Sequence, residues 1–116
     1  MSKVAPQLED IFVFTFKDKL PRLPRKRPDW CQIVISKKMS NTDKFRLYRW
    51  IEKVQMRGTE IEILIKPNDL MVSLAYELGA DRIVFRKKAF IKLSIQKKKY
   101  LLLLADSFYL PVILRG

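Results

Sequence analysis

Histidine is missing from this chain of 116 residues, and cysteine occurs once, as Cys31. Without histidine there can be no Ser-His-Asp triad, no Cys-His pair and no histidine-bound zinc. A single cysteine forms neither an internal disulfide nor a thiolate metal site, and it gives no sign of an oxidising compartment. We therefore expect Cys31 to be a small buried apolar side chain in a cytoplasmic protein, or in a nuclear or nucleoid-associated one if source and partner allow.

Glycine and long apolar runs are also scarce. The three glycines stand apart from one another, so the chain has no glycine-rich phosphate cradle. Its longest apolar run, LLLLA at 101–105, is far shorter than the roughly 20 residues that span a bilayer. The first 16 residues carry acids and a proline where a signal peptide is basic and then continuously apolar. These features predict no membrane partner, no nucleotide hydrolysis and no cofactor.

Positive charge is what the chain has in excess. It holds 24 lysines and arginines against 12 aspartates and glutamates, which gives a net charge of +12. Hydrophobic residues make up 48% of the chain, enough to build a core in a single domain covering residues 1–116. A folded domain with so large an excess of one sign predicts a polyanionic partner.

Apolar periodicity and turn residues predict an α+β domain. In the first 80 residues the predicted elements are strand IFVFTF (11–16), strand CQIVIS (31–36), a helix from Asn41 to Gly58, strand TEIEILIK (59–66) and a helix from Asn68 to Gly79. The rest of the chain contains RIVFRK, AFIKLSIQ, KYLLLLA and FYLPVIL, which predict four strands in antiparallel hairpins. The predicted order is β-β-α-β-α-β-β-β-β, a mixed sheet with two helices, in which the two strand–helix–strand units pair their strands in parallel through right-handed crossovers.

The stretch LPRLPRKRPDW, residues 20–30, joins the first two predicted strands and combines three prolines with a run of basic side chains. It fits a rigid loop that contacts phosphates, a plain connector, or a proline-rich peptide similar to those that SH3 domains bind. We favour the phosphate loop because the chain has two further basic zones. Its contact residues would be Arg22, Arg25, Lys26 and Arg27.

The two further basic zones lie on the first helix and in residues 82–99. On a helical wheel Arg46, Arg49 and Lys53 share one arc that holds no acid. The second zone has no acid either, and its predicted contact residues are Arg86, Lys87, Lys88, Phe90 and Lys92. Phe90 could stack on a base or belong to the core, and both assignments stay open.

These patterns predict a small protein that binds DNA or RNA mainly through backbone phosphates, with little sequence readout and no catalysis. One alternative is an adaptor or inhibitor that binds an acidic protein partner. A second is a metal-dependent nuclease built on Glu60 and Glu62, which share one strand face, although the solvated side of a half-buried strand explains them as well. The apolar segment YLLLL fits a homodimer contact or a central buried strand.

Overall fold

Five parallel strands form one sheet in the computed structural model, which describes residues 10–17 and 19–116. In chain order the elements are β1 (Ile11–Thr15), β2 (Trp30–Val34), α1 (Asn41–Met56), β3 (Glu60–Leu64), α2 (Asp69–Glu77), β4 (Arg82–Arg86), α3 (Lys87–Ile91), α4 (Ile95–Ser107) and β5 (Val112–Arg115). The strands lie side by side in the order β1-β2-β3-β4-β5, and every neighbouring pair is parallel. Right-handed crossovers between successive strands therefore place the helices on the same face of the sheet.

The predicted antiparallel C-terminal hairpins are wrong. AFIKLSIQ and KYLLLLA form α3 and α4 instead of strands, so the described residues contain four helices and an all-parallel sheet. Ser94 starts α4, because its hydroxyl accepts a hydrogen bond from the backbone N–H of Lys97. No valine, isoleucine or threonine occurs from Gln96 to Pro111, and β-branched residues are the ones that favour a strand over a helix. An apolar run such as LLLL fits a buried strand and a buried helix equally.

The two predicted helices, in contrast, are confirmed. Asn68 caps α2 by accepting a hydrogen bond from the N–H of Met71, and Gly79 follows it with φ +82°. Gly58 ends α1 with φ +91°, and Ser40, directly before the predicted start at Asn41, caps that helix. Of the helices in the described ranges, none has the length and apolarity that crossing a bilayer requires.

The hydrophobic core lies between the sheet and the helices. Alternate strand residues face the helices, as the two-residue period of a strand requires. The buried residues of this layer include Cys31, Ile33, Ile61, Ile63, Ile83 and Phe85 from the strands, and Leu47, Ile51, Val72, Ala75, Leu101 and Ala105 from the helices. Cys31 is 1% exposed, which confirms the predicted buried side chain.

The proline-rich stretch 20–30 crosses from β1 to β2 without forming a helix. Three side chains of the α1–β3 segment donate hydrogen bonds to its carbonyl groups: Trp50 Nε1 to Pro21 (3.0 Å), Arg57 Nη2 to Pro24 (2.8 Å) and Thr59 Oγ1 to Pro28 (2.8 Å). Leu20 and Leu23 pack against the core. The stretch therefore covers the β1 end of the helix-side face, where a crossover helix would otherwise lie.

Candidate functional site

The carboxyl ends of parallel strands meet at one edge of a sheet, and in open α/β folds this edge is where ligands bind. In this chain basic residues occupy that edge along most of its length. They are Lys17 after β1, Lys37 and Lys38 after β2, Lys66 after β3, Arg86 at the end of β4, and Lys87 and Lys88 at the start of α3.

Three neighbouring cavities run along this edge. The first, about 280 Å³, lies between the ends of β1 and β2 and the start of α1, and its wall includes Lys17, Lys37 and Lys38. The second, about 150 Å³, lies between the ends of β2, β3 and β4, where Lys66 and Arg86 border an apolar interior. Both cavities share the residues 35 and 36, so they adjoin across the end of β2.

The third cavity continues the line toward α4. It measures about 330 Å³, includes Lys97 and the exposed ring of Tyr100 in its wall, and shares Pro67 with the second cavity. The three cavities together make one depression, which we call the carboxyl-edge groove. Its basic residues are Lys17, Lys37, Lys38, Lys66, Arg86 and Lys97.

The charge of the groove is strongly positive. All six basic side chains are exposed, and none forms an ion pair with an acid in the described ranges 10–17 and 19–116. Two acids, Asp43 and Asp69, also line the groove. Asp43 contacts Arg46 at 3.4 Å, which reduces the negative charge it adds to the groove. The amino ends of α1 and α2 point to the same edge and add partial positive charge.

Of the contact residues predicted in the basic zone 82–99, Arg86 lines the groove, and Lys87 and Lys88 lie exposed beside it. Lys92 is exposed at the carboxyl end of α3. Phe90, in contrast, is 7% exposed, and its ring stacks on that of Phe85 with centroids 5.7 Å apart. The prediction that Phe90 stacks on a base is therefore wrong, and its alternative assignment to the core is confirmed.

The predicted loop residues lie away from the groove. Arg25, Lys26 and Arg27 come just before Pro28 and Asp29, which bond to the segments that begin β3 and β1 at the opposite edge of the sheet. The Arg27 guanidinium packs against Gly58, where a Cβ would lie only 2.6 Å from Nη1. Arg22 is exposed earlier in the same stretch. Arg25, Lys26 and Arg27 form a separate surface at the carboxyl end of α1.

The predicted cationic face of α1 is less free than the sequence suggested. Arg46 forms the ion pair with Asp43 from the preceding turn, and Arg49 lies over the Phe45 ring at 5.8 Å from its centroid. Lys53 is exposed. The arc of basic residues itself holds no acid, but the Asp43 side chain, one turn before Arg46, reaches that residue.

Glu62, one of the two carboxylates in the nuclease alternative, is 0% exposed on the face opposite the helices. It accepts hydrogen bonds from Gln32 Nε2 (2.6 Å), from Arg82 Nε (3.0 Å) and from Arg115. Burial acts to raise the pKa of this carboxyl, but these hydrogen bonds outweigh it and lower the pKa below the usual 4.5. Burial and the charge of Glu62 raise the pKa of Cys31 to about 12.

No group of three or more histidine, cysteine, aspartate or glutamate side chains that could hold a metal occurs in the part of the chain that the structure describes. Glu60, the other carboxylate of the nuclease alternative, is exposed. Metal binding by Glu62 would require its bonds to two arginines and a glutamine to break.

Sequence reasoning missed most of the groove. The residues proposed to contact a ligand that were not predicted are Lys17, Lys37, Lys38, Lys66, Lys97 and Tyr100. The available signal was the basic residue that follows each of the first four strands. That signal has meaning only in a parallel sheet, because antiparallel strands send their carboxyl ends to opposite edges.

The chain matches no family model, no curated protein and no solved structure at a significant level. Its function is therefore inferred from the groove and from the chemistry of the residues that line it.

Proposed function

We propose that this protein binds nucleic acid, without catalysis, by holding the phosphate backbone in the carboxyl-edge groove. The observation that carries the proposal is the line of three cavities whose six exposed basic side chains have no acidic partner in the described ranges. Such side chains gain the most from a polyanion, because they lose no existing ion pair when it binds.

The dimensions of the groove support this ligand. Strands in a sheet lie about 4.8 Å apart, so the edge from β1 to β4 is roughly 14 Å long, and the third cavity extends the groove beyond it. A groove of this length accommodates several successive phosphates of one nucleic-acid strand. Tyr100, which is 55% exposed in the third cavity, adds a ring on which an unpaired base can stack.

Backbone contacts of this kind imply little sequence readout, and they suit DNA and RNA alike. Cys31 is a buried free thiol, and a reducing compartment suits it. We therefore place this binding in the cytoplasm.

The first test compares two triple variants that remove the same formal charge. Lys37→Gln, Lys38→Gln and Lys66→Gln change the groove, whereas Arg25→Gln, Lys26→Gln and Lys53→Gln change exposed cations elsewhere. Fluorescence anisotropy with single- and double-stranded DNA and RNA is measured at several salt concentrations. We expect the groove variant to bind at least tenfold more weakly and to reduce the slope of log K against log salt by about 2 to 3, because three phosphate contacts are lost.

The matched variant should change that slope by less than about 1. Equal losses in the two variants would show that the net charge attracts the ligand and that the groove does not hold it. If wild-type protein binds no oligonucleotide in 50 mM salt, the proposal is wrong, and an acidic protein becomes the better candidate for the groove.

A further inference from the structure

The outward surface of α4 is apolar at its centre and charged on both sides. Leu102 and Leu103 are 45% and 68% exposed, and together with Lys99 and Asp106 they line a shallow depression of about 500 Å³. The opposite side of this helix, represented by Leu101, is buried in the core. Leu102 and Leu103 are therefore not needed for the packing of α4 on the sheet.

The spacing of these four residues has a twofold symmetry. Lys99 precedes Leu102 by three positions, and Asp106 follows Leu103 by three, so the centre lies between the two leucines. Seven residues of helix separate the Cα atoms of Lys99 and Asp106 by about 10 Å, which is too far for them to pair directly within one chain. Neither forms an ion pair with another residue in the ranges 10–17 and 19–116.

We propose that α4 is the interface of a twofold symmetric homodimer, in which two copies of the helix pack antiparallel. In that arrangement Leu102 packs on Leu103 of the second copy, and Lys99 lies opposite Asp106 of the second copy, each contact occurring twice. A twofold interface uses the same patch on both subunits, so it requires a patch that is complementary to itself. Along α4 the patch runs from a basic residue through two leucines to an acidic residue. An antiparallel copy presents the same residues in the opposite order, so base faces acid and leucine faces leucine.

Two more exposed apolar side chains lie near the two ends of α4. Ile95 begins α4 and is 69% exposed, and Tyr109 lies just beyond its carboxyl end and is 93% exposed. They lie at similar sequence distances from the centre, so an antiparallel partner brings the Ile95 end of one α4 to the Tyr109 end of the other. A single pair of helices buries less than the roughly 800 Å² per subunit of a standard interface. We therefore expect a dissociation constant in the micromolar range.

Sedimentation velocity from about 1 to 200 μM tests the proposal by exchanging charges. In the Lys99→Glu variant an acid at 99 faces Asp106 of the second copy, and in the Asp106→Lys variant a base at 106 faces Lys99 of the second copy. Each change should weaken the dimer at least tenfold. The double variant Lys99→Glu/Asp106→Lys restores the opposite-charge pairs in reversed order. Its dissociation constant should return to within about threefold of the wild-type value.

The matched control is Lys53→Glu, the same change on the exposed side of α1. It should leave the dimer unchanged, and circular dichroism should show that all four variants keep the wild-type fold. A protein that stays monomeric up to 200 μM overturns the proposal. The proposal is also overturned if neither single change alters the dissociation constant, or if the double change fails to restore it. Dimer formation needs no oligonucleotide, so these outcomes are independent of nucleic-acid binding.

Discussion

Glu62 links its own strand, β3, to three others through one carboxylate on the face of the sheet opposite the helices. Its partners are Gln32 in β2, Arg82 in β4 and Arg115 in β5. The Arg82 guanidinium also lies 3.4 Å from the centroid of the Trp30 ring. A buried charge is tolerated when hydrogen bonds satisfy it from every side, and here they do. Removing the carboxylate would leave two arginines facing each other without their shared anion.

The change Glu62→Gln should therefore lower the free energy of unfolding by about 2 to 3 kcal/mol. This is less than the 3 to 5 kcal/mol typical of a fully buried pair, because the Arg115 side chain is 38% exposed and water can solvate it. The matched control is Glu60→Gln, an exposed carboxylate two residues earlier on the same strand face. It should cost less than about 0.5 kcal/mol. Urea unfolding at pH 7 measures both changes.

The comparison of wild type with Glu62→Gln also gives a pH dependence with a definite sign. The pKa of Glu62 is lowered in the folded chain, so the carboxylate contributes its stability fully above the usual pKa of 4.5. That contribution is lost as the pH falls below 4.5 and through the folded value. The difference in unfolding free energy between wild type and Glu62→Gln should shrink between pH 5 and pH 2. A difference that stayed constant over this range would contradict the assignment of the stability to the charged carboxylate.

Among the elements, those with local signals could be predicted from the sequence. The cap Asn68 and the terminal Gly79 define α2, and the alternation of phenylalanines defines β1. The segment α4 was wrongly predicted, because its four consecutive leucines carry no period, although the cap Ser94 and the lack of β-branched residues after Ile95 in this segment are local signals for a helix. The parallel pairs β2–β3 and β3–β4 were predicted and are observed, but with α3 and α4 read as strands the C-terminal part of the sheet was wrongly predicted to be antiparallel. Of the groove, only Arg86 was predicted.

The stretch 20–30 shows the same dependence on context. Its sequence fits three roles, and the structure shows a packed crossover whose carbonyl groups are bonded by α1 and by the segment that follows it. Its exposed arginines remain free to attract a polyanion, but they lie at the opposite edge from the groove. The backbone of this stretch therefore contributes to the fold through its bonded carbonyl groups, whatever its side chains bind.

Arg57→Ala should destabilise the protein through this crossover. The Arg57 guanidinium donates hydrogen bonds to the carbonyl groups of Pro24 and Arg25, and its loss should cost about 1 kcal/mol of unfolding free energy. It should also speed the cleavage of the wild-type trypsin sites at Arg25 and Lys26. Lys53→Ala, one turn earlier on the same helix, is the control and should change neither measurement. If the two variants behave alike, the bonds from Arg57 do not hold the crossover in place.

At the scale of the whole molecule, the charge of +12 opposes folding by repulsion among its own cations. Exposed ion pairs such as Lys44 with Glu77, at 3.3 Å, offset little of this, because each is worth less than about 1 kcal/mol. Added salt screens the repulsion more than it weakens these few pairs. The melting temperature should therefore rise as salt increases from about 20 to 200 mM.

A bound oligonucleotide should stabilise the protein further than salt does, because it neutralises the groove cations directly. A ligand at one hundred times its dissociation constant adds about 2.7 kcal/mol if it binds only the folded chain, which corresponds to roughly 10 °C for a chain of this size. Differential scanning fluorimetry at constant ionic strength should show this shift in wild type and in the variant Arg25→Gln, Lys26→Gln, Lys53→Gln.

The groove variant Lys37→Gln, Lys38→Gln, Lys66→Gln separates the two causes of stabilisation. Losing three cations relieves repulsion, so both triple variants should melt slightly higher than wild type at low salt when no oligonucleotide is present. The groove variant alone should then lose most of the shift that the oligonucleotide produces. If all three proteins gain equally, the oligonucleotide acts as a general counterion, and the order of cations along the sheet edge has no part in binding it.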